Sequence, residues 1–128
     1  GLEHAVCPEG RLVHLSVQAA RDRCGQVPKA VDAQCAIAMT HIEHMLAASH
    51  MRLQDMVRLT CYVTCRTHVQ VFHTAWQHRW PGIAPVVSVI VVAGLASPDV
   101  LIGFEIQAYS GPETRLREAV KVVEIEAV

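Results

Sequence analysis

The sequence predicts an α+β domain in which one β-sheet is backed by two helices. Two long stretches without internal Pro or Gly carry apolar residues at helical spacing, and β-branched or alternating segments surround each of them. Such an order of elements suits a sheet with helices on one face.

Taken in order, residues 2–6 read as a short first strand. Residues 12–17 follow as a second strand, with Leu12, Val13, Leu15 and Val17 supplying its apolar character. Residues 19–27, with Arg21, Asp22, Arg23, Gly25 and Gln26, read as a loop. Pro28 suits the first turn of a helix, where its missing N–H costs nothing. The helix then runs over 28–50, with Val31, Cys35, Ala38, Ile42 and Met45 forming an apolar stripe. Residues 56–63 are β-branched and apolar and form a third strand. Residues 67–80 form the second helix, with Val71, Phe72, Ala75, Trp76 and Trp80 at helical spacing, and Pro81-Gly82 stops it. Residues 86–92 are a nearly continuous apolar strand, 93–99 a turn, and 100–109 a last strand with Gly103 as a candidate bulge. In the tail, 110–128, the stretch 122–128 alternates again and adds a candidate strand. With two helices covering one face, the other face of so apolar a sheet is expected to be hidden by a second subunit.

Length and charge narrow the function classes. A chain of 128 residues makes one domain, 1–128, large enough to bury a core without metals or disulfides. Its formal net charge is −1, and its 11 Lys and Arg are scattered, which argues against nucleic acid or an anionic membrane as partner. The longest apolar run, 83–96, is interrupted by Pro85, Ser88 and Gly94 and is too short to span a bilayer. The first residues carry a Glu and a His and do not read as a signal peptide. The five cysteines, Cys7, Cys24, Cys35, Cys61 and Cys65, are odd in number and irregular in spacing, which fits reduced thiols in a cytoplasmic protein. Of the eight histidines, His41 and His44 share a helix face but lack a third ligand, so neither a metal nor a cofactor is expected.

Several motifs together resemble the Rid (YjgF-type) family, whose founder RidA deaminates reactive imines and enamines. His4-Ala5-Val6 is similar to the family's first strand, and Ser16-Val17-Gln18 to its Ser-Gly-Gln turn. Ala33-Gln34, Met39 and Leu46 fall on positions of its first helix. Asp55-Met56-Val57-Arg58-Leu59-Thr60, followed by Tyr62-Val63, resembles its Asp-Ile-Val-Lys-x-Thr-x-Phe-Val entry. Phe104-Glu105-Ile106-Gln107-Ala108 resembles its closing Val-Glu-Ile-Glu-Ala. The resemblance covers about residues 1–109. It implies a chorismate-mutase-like fold with a mixed sheet, and a homotrimer whose sheets form an inner barrel with ligand clefts between subunits.

The resemblance also locates the chemistry. In the family an Arg holds the substrate carboxylate and a Glu positions the attacking water. The Arg position is Val87 here, in Pro85-Val86-Val87-Ser88-Val89, and the Glu is Glu105. The family's N-terminal Tyr corresponds to Leu2, its turn Gly to Val17, and an Asn of its second helix to His73. The implied site therefore has Glu105 and His73 as catalytic candidates and Leu2, Val17, Val87 and Ser88 as substrate contacts. Its small-molecule ligand would depend less on an α-carboxylate, because Val cannot replace a bidentate guanidinium. Glu124 and Glu126, in Val123-Glu124-Ile125-Glu126-Ala127, repeat the closing motif but lie too far beyond Pro85. A non-catalytic metabolite-binding or chaperone-like trimer is the competing expectation. RNA cleavage, claimed for some relatives, is disfavoured by the neutral charge.

Overall fold

The computed structural model describes residues 2–7, 10–17 and 20–111, with side chains from residue 10 onward. Its strands are β1 (Leu2–Cys7), β2 (Gly10–Val17), β3 (Met56–Val63), β4 (Val86–Val91) and β5 (Ile102–Ser110), and its helices α1 (Val31–Ala48) and α2 (His68–Arg79). A short 3-10 turn, Leu53–Asp55, precedes β3. The expected second-helix and central-strand positions agree with these to within about two residues. The expected tail strand, with Glu124 and Glu126, lies outside the described residues.

The five strands form one mixed sheet in the order β1-β2-β5-β3-β4. The β1-β2-β5-β3 pairings are antiparallel, and β3 and β4 are parallel. A parallel pair needs a crossover connection, and α2 supplies it.

Because strand side chains alternate, the register sorts residues into two faces. Val13 pairs with Ala108, Leu15 with Ile106 and Val17 with Phe104, while Leu59, Cys61 and Val63 pair with Ile106, Phe104 and Ile102. All of these are buried, and they pack against Cys35, Ala38, Met39, Ile42 and Leu46 of α1 and Phe72 of α2. Both helices therefore cover the same face. Among the described residues nothing covers the opposite face.

Three local features differ from the sequence expectations. Helix α1 begins at Val31 rather than Pro28, because Gln34 draws the Pro28 carbonyl into a side-chain hydrogen bond instead of a helical turn. Strand β5 begins at Ile102 rather than at residue 100, since the Leu101 N–H donates to Gln34 Oε1 and its carbonyl accepts from Thr64. The irregularity in the sheet lies between Met56 and Arg58, not at Gly103, which pairs regularly with Tyr62. The extra residue, Val57, lets Met56 face the core while Arg58 faces the open side.

The end of α1 is set by His50 at φ 58, with Met51 N–H donating to the Leu46 carbonyl and His50 N–H to that of Ala47. This is a Schellman closure built on a residue other than Gly.

Two polar clamps hold the layers together. Gln34 is 1% exposed, and its amide donates to the carbonyls of Pro28 and Asp99, both at 2.7 Å. It thus ties the start of α1 to the β4–β5 loop. Between the helices, Arg79 grips both Glu43 oxygens at 2.9 and 2.8 Å, and the Trp80 indole donates to Oε2 at 2.8 Å.

Gln34→Leu strands the partners of three hydrogen bonds in a partly wet loop, so denaturant titration should read a loss of about 2–3 kcal/mol. The Arg79 hydrogen bonds, opposed by partial burial and helped by Trp80, hold the Glu43 carboxyl below its ordinary value. A depressed folded-state value means stability that is present above the unfolded value, about 4.3, and lost as pH falls through the folded one. Glu43→Gln should therefore lower stability at pH 7 by about 1–2 kcal/mol and flatten its fall below pH ~4.

Candidate functional site

The uncovered face of the sheet is a patterned polar surface. The register places Ser16 beside Glu105, Glu105 beside Thr60, and Thr60 beside Ser88, so these four residues form one row across β2, β5, β3 and β4. On one side of the row stand Tyr62, Gly103 and Ile90. On the other stand His14, Gln107, Arg58 and Val86.

Glu105 is the centre of this surface. Tyr62 donates its hydroxyl to Glu105 Oε1 at 3.1 Å. His14 Nε2 lies 3.9 Å from Oε2, and the two side chains are 37% and 40% exposed, so both remain reachable by water and ligand. Each carboxylate oxygen thus faces a different protein group. Partial burial and the adjoining Glu105 carboxylate push the Tyr62 phenol above its ordinary value, and Arg58 pulls in the opposite direction. Arg58 reaches across to Ser88, with Nη2 to Oγ at 3.4 Å. A half-exposed carboxylate with one oxygen held in place can accept a proton from water or from an acidic C–H or N–H.

Glu105 and Ser88 of the expected site residues share this open face. Val17 and Val87 pair with Phe104 and Leu59 and so belong to the helix side, Val17 at 7% exposure in the core and Val87 at 38% on the edge strand. Leu2 pairs with Leu15 at the end of β1, and its side chain lies outside the described residues. His73 is exposed on α2, its ring 5.4 Å from that of Phe72. Since α2 covers the other face, His73 and Glu105 of one chain lie on opposite sides of the sheet.

Tyr62, His14, Thr60 and Arg58 were not foreseen as site residues. The signal existed in the alternation of Arg58, Thr60 and Tyr62 along β3, but only the register shows that it meets Glu105. Cys35 and Cys61 are buried, and burial raises both thiols, that of Cys35 to about 11, which suits packing rather than nucleophilic chemistry. Among the described residues no cluster of three or more His, Cys, Asp or Glu is placed to hold a metal, and no helix is long and apolar enough to cross a membrane.

The Tyr62–Glu105 contact can be read directly. With the carboxylate replaced, in Glu105→Gln, the Tyr62 phenol should titrate at lower pH than in the parent, as followed by the NMR signal of its ring carbon. An unchanged titration would mean that the two groups do not meet.

The chain matches a family model described as Endoribonuclease L-PSP over residues 2–110. No curated protein matches it. Among solved structures, the Escherichia coli YjgF gene product is 21% identical with a TM-score of 0.71, over 82% of this chain and 84% of that one. YyfB of Yersinia pestis, a Rid-family protein of unknown function, is 25% identical with a TM-score of 0.69, over 79% and 80% of the two chains. Escherichia coli TdcF, solved with bound serine, is 18% identical with a TM-score of 0.73, over 84% and 86%. With nearly all of its described residues under one family model and on one fold, the chain belongs to the Endoribonuclease L-PSP family, the group that includes the YjgF and Rid proteins.

Proposed function

We propose that this protein is a cytoplasmic homotrimer that hydrolyses a small imine or enamine, or carries out a related proton transfer, at ligand clefts between its subunits. The observation that carries the proposal is the half-exposed Glu105 carboxylate, with Oε1 held by Tyr62 and Oε2 3.9 Å from His14 Nε2. In the hydrolysis, Glu105 takes a proton from water as the water oxygen bonds to the imine carbon. That proton passes to nitrogen to give a carbinolamine, whose hydroxyl then yields its own proton to the amino nitrogen through Glu105 as the carbon–nitrogen bond breaks, so that ammonia leaves and the carbonyl forms. A positioned base of this kind contributes about 10²–10⁴-fold.

The Tyr62 hydroxyl is the one atom by which this residue differs from the Phe of the family's strand motif, and it is the atom that binds Glu105. Conversely, the guanidinium of the family's strand is absent at Val87. A hydrogen bond to a charged group contributes about 1.5–3 kcal/mol, so a substrate α-carboxylate gains little at that strand position. An atypical substrate, less dependent on an α-carboxylate, follows.

Oligomerisation is supported by the uncovered sheet face and by Val87, Ile90 and Val91, the large apolar residues exposed on edge strand β4. The bound serine of TdcF supports a small-molecule ligand, and the net charge of −1 speaks against nucleic acid. The altered polar set at Leu2, Val17 and Val87 favours a second reading, a trimer that binds a metabolite without turning it over.

Ammonia release from freshly generated imines, with and without an α-carboxylate, separates the two readings. The enzyme reading expects release from an imine lacking the α-carboxylate, and a fall of about 10²-fold or more in kcat for Glu105→Gln at unchanged trimer mass. Silence on every imine, with ligand binding retained, would establish the binding protein instead.

A further inference from the structure

Edge strand β4 is poorly covered. None of its residues is buried, whereas β3 beside it is buried at Leu59, Cys61 and Val63. Among the described residues, Val87, Ile90 and Val91 are the large apolar side chains left exposed. Ile90 pairs with Tyr62 and faces the open side, while Val87 and Val91 pair with Leu59 and Val63 and face the helix side. The backbone is open there too. The Val92 N–H donates to the Val63 carbonyl, so by strand alternation the N–H groups of Val87, Val89 and Val91 point away from β3. They meet an edge with no strand beside it among the described residues.

The sequence beyond β5 offers a segment that fits this edge. Val123-Glu124-Ile125-Glu126-Ala127 repeats the pattern of Phe104-Glu105-Ile106-Gln107-Ala108. In β5 that pattern puts Phe104, Ile106 and Ala108 on the helix side and Glu105 and Gln107 on the open face. Strand β5 ends at Ser110, at the end of the sheet where β4 begins, since Ala108 pairs with Met56 and Arg58 with Val86. A position outside β4 is three strand spacings from β5, roughly 14 Å, and residues 112–121 can span roughly 33 Å when extended. Such a path runs past the end of β3 without crossing either face, and a strand laid there runs parallel to β4. Charge agrees with this placement. Arg58 is exposed and reaches Ser88 of β4, and among the described residues no carboxylate is paired with it. The other free edge, β1, contains Glu3 and neither Lys nor Arg.

We propose that residues 122–128 dock as a further strand along the outer edge of β4 of the same chain. Val123, Ile125 and Ala127 lie beside Val87, Val89 and Val91 and extend the helix-side apolar layer. Glu124 lies beside Ser88, within reach of Arg58. The docking is independent of the chemistry at Glu105, and it leaves Ile90 and the open face to the subunit contact.

Amide exchange followed residue by residue by NMR in the full chain tests the docking. The outward amides of Val87, Val89 and Val91 should exchange roughly 100-fold or more below the rate of an unstructured chain. Ile125→Pro, which removes a ladder donor, should speed them by about tenfold or more, while the Ile90 amide, which faces β3, changes by less than about threefold. The Ile90 comparison separates loss of the tail strand from loss of the fold. A charge swap checks the register: Arg58→Glu should speed the outward amides about threefold, and Glu124→Arg added to it should restore them. Isotope-labelled Ile125→Pro chains refolded with unlabelled parent chains should keep the faster exchange. Fast outward amides in the parent chain, protection that survives Ile125→Pro, a charge reversal without rescue, or protection regained from the unlabelled chains would each overturn the proposal.

Discussion

The antiparallel pairing of β5 with both β2 and β3 is the constraint on which the rest of the structure depends. Its register puts Phe104, Ile106 and Ala108 against Val17, Leu15 and Val13 on one side and against Cys61, Leu59 and Met56 on the other. That places an apolar layer under both helices. The same alternation forces Glu105 and Gln107 to the opposite face, together with Ser16, Thr60, Tyr62 and Arg58. Core and candidate site are two sides of one pairing, and a shift of one residue would exchange them. The bulge between Met56 and Arg58 belongs to this arrangement. It keeps Met56 in the core without turning Arg58 inward.

Polar side chains secure what apolar packing leaves free. Apolar contact between a sheet and two helices has little directional preference, whereas Gln34 fixes α1 relative to two loops through three short hydrogen bonds. Glu43 fixes α2 relative to α1 through Arg79 and Trp80. Both clamps lie on the helix side, so the open face carries no structural duty of this kind. Within the single chain Glu105 and His14 stay partly exposed there.

Much of the fold was legible in the sequence because it is written in periodicity. The apolar stripe of α1, the Pro81-Gly82 stop after α2 and the apolar run of β4 each report a local property. The start of α1 was not legible, since it depends on Gln34 meeting Asp99 and Leu101, more than sixty residues away along the chain. The α1 stripe was displaced for a related reason. Val31 and Met45 lie at its margin, while Gln34, Met39 and Leu46 are buried because α1 is rotated to meet both β2 and β5. Glu105 was found from its motif. Tyr62, His14 and Arg58 were not, because strand pairing is non-local and alternation alone does not say which neighbours a carboxylate will face. Family resemblance also grouped Val17 and Val87 with Glu105, and in a single chain the register separates them onto opposite faces.

The central claim is that the open face, and not the helix side of the sheet around Val87, receives the ligand. A crystal structure of the protein grown with a small imine analogue tests it most directly. The account predicts ligand density on the open face, against the Glu105 carboxylate. Density on the helix side against Val87, with the row from Ser16 to Ser88 empty, would contradict it.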